Sequence, residues 1–375
     1  MNKLMSSLLY VSLASFIGVI VTLIVNSSSP VLGPLIAVMF VTLALGVRGT
    51  ATIFRSFSFT FWIFSAVTLA MFYPHFFLEV GDFKLSVLIV PLIQIIMFGM
   101  GTSLSVKDFL RVLKMPKGVA VGVALQYTVM PVVGISLALS FGFPPEIAAG
   151  VVLIGSSPGG VASNVMAYIA NANLALSVTL TAVSTLLSPF LTPLLMQLLA
   201  GQFVPIVFTA MMWSIIKMII IPIVLGVIFN HFWHGKVKWL DDAMPVLSMT
   251  GIAVIITIIT AAGRDSLLAV GLLLVAAAVI HNAAGYVFGY FGARLARMDE
   301  KSCRAIAIEV GLQNAGMASG LAVAMGKIGT VGLAPAVFGP WMNITGSTLA
   351  NYWRRKPVKK TLADQSEPVE SAVNN

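Results

Sequence analysis

Long apolar stretches alternate with short polar ones along the chain, and the interruptions carry charge, Pro or Gly. A helix needs about 20 mostly apolar residues to cross the hydrocarbon of a bilayer. Runs of that kind lie near 7–25, 31–47, 57–73, 85–100, 118–140, 147–169, 174–199, 206–229, 243–262, 267–293, 302–323 and 333–352. An all-α polytopic membrane protein with about twelve transmembrane helices is therefore predicted. The sixth, seventh and eleventh runs are the least uniform, broken by Gly, Pro, Ser and Asn. Residues 1–29 also fit a cleaved signal peptide, ending at Ser27-Ser28-Ser29, but no small-x-small cleavage site follows and an uncleaved span is preferred.

Charge sharpens this picture. Asp, Glu, Lys and Arg make up 9% of the 375 residues, against about 25% in a soluble domain. That excludes a soluble enzyme, a nucleic-acid-binding protein and a disordered regulator. With the N-terminus inside, 18 of the 22 basic residues fall on one side of the twelve spans. Lys84, Arg264 and Lys327 fall on the other, and Lys217 lies within the eighth span. This is the positive-inside pattern, placing both termini in the cytoplasm of a multi-pass plasma (inner) membrane protein. The net charge of +9 is thus an orientation signal whose partner is the lipid bilayer, with no nucleic acid required. The single cysteine, Cys303, excludes an intramolecular disulfide and a multi-cysteine metal site.

Of the 13 acidic residues, Glu309 alone falls within a span, in Ile306-Ala307-Ile308-Glu309-Val310-Gly311-Leu312-Gln313-Asn314. A charge at a helix centre costs about 2.5–3.5 kcal/mol on insertion scales, so such a carboxylate marks a functional site unless it is protonated or paired with Lys217. A second polar cluster, Gly155-Ser156-Ser157-Pro158-Gly159-Gly160-Val161-Ala162-Ser163-Asn164, interrupts the sixth span. Pro158 removes an N–H, and lipid tolerates such a break only where protein or water satisfies the freed groups. A close small-residue helix crossing would account for the glycines but not for Ser163 and Asn164. Asn164 and Asn314 lie 150 positions apart, Pro91 and Pro245 154, and Gln126 and Asn282 156. These offsets predict two five-span halves, 57–199 and 206–352, of opposite orientation. Inverted repeats with paired broken helices are the architecture of secondary transporters, whose site lies at the midplane.

Other motifs are weaker. Ser214 and Lys217 have Ser-x-x-Lys spacing, which opens an intramembrane hydrolase reading without any companion motif. His231 and His234 read as a solvated loop with aromatic anchors, and His281 and Asn282 as packing or supporting polar residues. The basic stretch Leu104–Lys117 reads as an interfacial segment and 357–375 as a disordered tail. Asn343-Ile344-Thr345 matches a glycosylation pattern, but its place within a span removes that meaning.

Over residues 57–353 the chain resembles the bile acid:sodium symporter family. The resemblance is carried by Ser157-Pro158-Gly159-Gly160-Val161-Ala162-Ser163-Asn164-Val165-Met166, by Ala175 to Thr185 and by Ile308 to Asn314. It implies a ten-span core with two discontinuous crossing helices. The panel spans would lie at about 57–100 and 206–262 and the core spans at 118–199 and 267–352, with two additional spans in 1–56 and a tail from 354. It further implies Na⁺ as the coupling ion, two per cycle, with no cofactor, and a small organic anion as substrate. One sodium site would use Ser163, Asn164, Ser177, Thr181 and Glu309; a second would use Gln126, Glu309 and Gln313 with carbonyls of Val310 and Leu312. Asn314, Asn343, Gly160 and Val161 match positions facing the substrate. Relatives often carry a hydroxyl where this chain has Val161, so substrate identity does not transfer. A proton-coupled carrier using Glu309 is the alternative.

Overall fold

The computed structural model describes residues 3–26, 29–50, 57–105, 108, 111, 114–233, 238–356 and 358. The tail expected at 357–375 lies outside these apart from Val358, as do His234 and parts of the 104–117 segment. The helices are α1 (Lys3–Val25), α2 (Leu32–Gly46), α3 (Ser58–Phe72), α4 (Ile89–Thr102), α5 (Pro116–Ser140), α6 (Pro145–Gly155), α7 (Ala162–Ile169) and α8 (Leu174–Leu195). They continue with α9 (Phe208–Ile215), α10 (Ile221–Trp233), α11 (Lys238–Ala262), α12 (Arg264–Leu295), α13 (Glu300–Gly311), α14 (Ala315–Ala324) and α15 (Leu333–Arg354). They follow the twelve predicted runs: α6 with α7 and α13 with α14 are broken passes, and a π turn joins α9 to α10. Among the described residues, eight helical stretches are long and apolar enough to cross a membrane.

The packing separates into groups. α4 packs along α10 and α11, and α3 packs on α11. α1 and α2 form a hairpin against α3, tied by Ser12 Oγ to the Met39 carbonyl (3.0 Å) and by Ser65 Oγ to the Ala37 carbonyl (3.1 Å). On the other side, α12 packs along α5 and α13, while α15 crosses α12, α6 and α7.

The two breaks meet. Gly160 N–H donates to the Leu312 carbonyl (2.7 Å) and Asn314 N–H to the Pro158 carbonyl (2.9 Å), an antiparallel bridge centred on Gly159 and Gln313. Each break thus satisfies backbone groups that the other frees, which a low-dielectric interior demands. Side-chain amides complete the pattern: Gln126 Nε2 donates to the Ser157 carbonyl (2.8 Å) and Asn282 Nδ2 to the Gly311 carbonyl (2.8 Å). The bridge sets the offset between halves at 154, not at the 150 of Asn164 and Asn314. The counterpart of Asn314 is Gly160, because each donates its N–H across the bridge; Asn164 already lies inside the first turn of α7, three residues beyond that helix's cap at Val161.

Both ends of the broken passes are also tied. At one end Arg304 donates to the carbonyls of Ala170 (3.5 Å), Trp353 (3.2 Å) and Lys356 (3.0 Å), and Asn173 N–H donates to the Lys301 carbonyl (3.0 Å). At the other end Glu146, in the first turn of α6, pairs with Lys327 Nζ and accepts from Thr330 Oγ1 (2.6 Å).

The hydrogen bond from Lys327, followed by that from Thr330, holds the Glu146 carboxyl below its ordinary range. A lowered folded-state pKa contributes stability above the unfolded pKa and loses it as pH falls through the folded value. On acidification through the carboxylate range, thermal stability of the wild type is expected to fall more steeply than that of Glu146→Gln. The expected difference is small because both side chains are partly exposed. Parallel melting curves across that range would contradict the tie.

Candidate ion and substrate site

Glu309 sits in the last turn of α13, only 4% exposed. Ser163 Oγ and Ser177 Oγ each donate to its Oε1 at 2.5 Å, and Thr181 Oγ1 lies 3.0 and 2.9 Å from Oε1 and Oε2. Asn164 Oδ1 stands 3.0 Å from Ser177 Oγ and 3.2 Å from Thr181 Oγ1. The first expected set, Ser163, Asn164, Ser177, Thr181 and Glu309, is therefore assembled, from α7, α8 and α13. The i, i+4 spacing of Ser177 and Thr181 puts both hydroxyls on one face of α8. Asn173 starts that helix by accepting from Leu176 N–H (3.1 Å).

Protons and acceptors do not balance in this cluster. Each hydroxyl carries one proton. Ser163 Oγ also lies 2.6 Å from the Gly160 carbonyl, and Thr181 Oγ1 lies 3.2 Å from the Ser177 carbonyl. Each hydroxyl thus faces at least two acceptor oxygens, in a buried setting where unpaired lone pairs are costly. A hard cation, which takes oxygen ligands, suits that surplus. Among the described residues no three His, Cys, Asp or Glu converge as a transition-metal site would require. Glu309 has only hydroxyl partners among the described residues, and Lys217 lies exposed on another helix, so the expected alternative of a Glu309–Lys217 pair is not formed.

The second expected set meets in part. Gln126 Nε2 donates to Gln313 Oε1 (2.5 Å), and Gln313 Nε2 donates to the Val310 carbonyl (2.6 Å). The Leu312 carbonyl accepts from Gly160 N–H in the bridge. Gln126 Oε1 is buried without a partner among the described residues. The hydrogen bonds of Glu309 itself all lie in the first set.

Gly160, Val161, Asn314 and Asn343, the positions expected to face the substrate, line one cavity of about 570 Å³. The lining from α4 and α11 is mostly apolar, with Met97, Met100, Met244, Ile252, Ile255 and Ile256 beside Thr102 and Ser248. The cavity reaches Thr102, Ser103 and Pro245, and no residue of α1 or α2 lines it. Asn314 caps α14 through its Oδ1 on Met317 N–H (2.9 Å), while its buried Nδ2 has no partner among the described residues. Ser214 Oγ is turned back to the Ala210 carbonyl (2.8 Å), away from any hydrolase role with Lys217. Buried His281 packs edge-on against Phe338. Asn282 supports the Gly311 carbonyl, as the reading of it as a packing or supporting polar residue expects, whereas its partner Thr345 escaped the sequence reading.

Comparison with known proteins follows this geometry. Residues 90–270 match the model of the Sodium Bile acid symporter family. An uncharacterised sodium-dependent transporter of Bacillus subtilis (strain 168), YocS, is 39% identical over 310 residues, which are 82% of this chain and 94% of the relative. The protein named probable sodium/metabolite cotransporter BASS1, chloroplastic, of Oryza sativa subsp. japonica is 35% identical over 309 residues, covering 80% of this chain and 73% of its own. The human ileal sodium/bile acid cotransporter is 32% identical over 242 residues, covering 63% of this chain and 68% of its own.

The crossing requires glycine at two places. A Cβ at Gly159 would lie 2.6 Å from Glu309 Oε2, and one at Gly160 would lie 2.8 Å from the Gln313 carbonyl. Gly159→Ala is expected to destabilise the protein by about 1–3 kcal/mol, the usual cost of overpacking. Gly316→Ala, whose Cβ would meet Asn314 Oδ1 at 3.5 Å, is expected to be near neutral. Equal melting temperatures for the two variants in detergent would contradict the close crossing.

Proposed function

The chain belongs to the bile acid:sodium symporter family, and on that premise we propose that it imports an organic anion, a carboxylate, together with Na⁺ by alternating access. The observation that carries this reading is the surplus of acceptor oxygens around Glu309, which a sodium ion would fill. The unpartnered Gln126 Oε1 beside Gln313 supports a second ion. Two sodium ions against one carboxylate leave a single positive charge, which a monoanion would neutralise. Ion and substrate would then favour each other's binding, a coupling that acts in both directions.

The half-helices support a place for the anion. The N-terminal turns of α7 and α14 reach the cavity at Val161, Ala162, Ala315 and Gly316, and helix N-termini favour negative charge. Asn314 Nδ2 adds an uncommitted donor beside them. The substrate's remaining body would lie against the Met and Ile wall of α4 and α11. Alternating access would move the core, α5–α8 with α12–α15, against the panel of α3, α4 and α9–α11. The cavity reaches residues 102–103 and 245, on the side that the distribution of Lys and Arg assigns to the cytoplasm. With both termini expected on that side, the position of the cavity supports reading this conformation as inward-facing.

Sodium at a hundredfold excess over its dissociation constant stabilises a folded protein by about 2.7 kcal/mol. Thermal unfolding of purified protein is expected to shift upward in Na⁺, by about 3 °C relative to K⁺ at equal ionic strength. Glu309→Gln is expected to lose most of that shift. A carrier that runs on protons would give equal melting temperatures in Na⁺ and K⁺, and that result would sink the sodium reading.

A further inference from the structure

Gln126 and Asn282 occupy corresponding places in the two halves, each donating from its amide to a carbonyl where a half-helix ends. Their oxygens are treated differently. Gln126 Oε1 has no partner among the described residues, whereas Asn282 Oδ1 accepts from Thr345 Oγ1 at 2.5 Å. Thr345 Oγ1 lies in turn 3.2 Å from the Tyr286 hydroxyl. The Gly311 carbonyl can only accept, which fixes the orientation of the Asn282 amide. Thr345 Oγ1 also lies 3.1 and 3.2 Å from the Trp341 and Met342 carbonyls of its own helix, but Asn282 Oδ1 is the nearest of these acceptors; it takes the Thr345 proton, and the Tyr286 hydroxyl donates to Thr345. The result is a one-way chain: Tyr286 to Thr345 to Asn282 to Gly311.

This chain joins two functional places. Thr345 stands on α15, two residues beyond the cavity-lining Asn343, and Gly311 ends α13, two residues beyond Glu309. Asn282 is 1% exposed, and the Tyr286 ring lies directly against Gly311, where any Cβ would overlap it. A displacement of α15 at the cavity therefore pulls on the carbonyl end of the turn that carries Glu309. The corresponding amide in the first half lacks this tether and keeps its oxygen free for an ion.

We propose that Asn282, held by Thr345, is a positioning residue that couples the substrate-lining helix α15 to the ion cage at Glu309. The two halves would thus use corresponding places differently, Gln126 as a ligand and Asn282 as a brace. The inference rests on the sodium reading above, but the two fail separately.

The test needs no identified substrate. A reporter chain carries Asn343→Cys, with the native buried cysteine removed as Cys303→Ala. Its maleimide labelling rate in nanodiscs is measured in Na⁺ and in K⁺ at equal ionic strength. The reporter is expected to change its rate about fivefold with sodium, at the lower end of usual coupling factors. With Thr345→Val or Asn282→Leu added, the change is expected to drop below about twofold, the scale at which single positions modulate coupling. Thr345→Ser keeps the hydroxyl and is expected to restore it, a rescue that a general packing defect would not give. Asn282→Leu reads the same coupling if Thr345→Val fails to assemble. An undiminished sodium response in these variants overturns the inference alone. A reporter that ignores sodium, in a protein that sodium does not stabilise, overturns the sodium reading and this inference with it.

Discussion

A backbone break inside a bilayer has no water to turn to, and this chain contains two of them. They are tolerated because they face each other. The Gly160–Leu312 and Asn314–Pro158 hydrogen bonds return to each break the partners it lost, and Gln126 and Asn282 take the carbonyls that remain. Everything functional is placed by that contact. It brings the last turn of α13, with Glu309, against the first turn of α7, with Ser163 and Asn164. It also turns the N-terminal ends of α7 and α14 toward one cavity. On the proposed function, the oxygens offered to a cation and the N–H groups offered to an anion would be two faces of a single crossing, as expected where half-helices meet at the membrane midplane.

The outer parts of the molecule serve this crossing in different ways. Arg304 at one end, and Glu146 with Lys327 and Thr330 at the other, pin the ends of the broken passes to neighbouring elements. The wall of α4 and α11 offers Met and Ile side chains with few polar groups, so it can slide or separate without stranding buried polar atoms. α1 and α2 lie beyond α3, remote from the cavity and from Glu309. Their placement puts them at the edge of the group formed by α3, α4, α10 and α11.

Much of this was legible in the residues. Apolar run length located the passes, since lipid imposes a length requirement that water does not. Glu309 stood out because an intramembrane carboxylate is costly, and Pro158 with its two glycines stood out because the lost N–H must be compensated. The second break was harder to read: it has no proline, and it is made by Gly311 and by the Asn314 cap. Pairing Asn164 with Asn314 by residue type gave the wrong register, because like residues in the two halves do different work. Thr345 was hidden for a related reason. A hydroxyl gains meaning only from its partners, and Asn282 and Tyr286 lie about sixty residues away in sequence.

The central claim is that the oxygens around Glu309 are arranged to hold a cation rather than further protons. Equilibrium binding of radiolabelled sodium to the purified chain addresses it directly, at constant ionic strength and without substrate. Saturable binding is predicted, displaced by unlabelled Na⁺ but not by equimolar K⁺, and reduced when Ser177 and Thr181 are replaced by Ala and Val. Sodium binding that fails to saturate, or that survives unchanged in that double variant, would contradict the account.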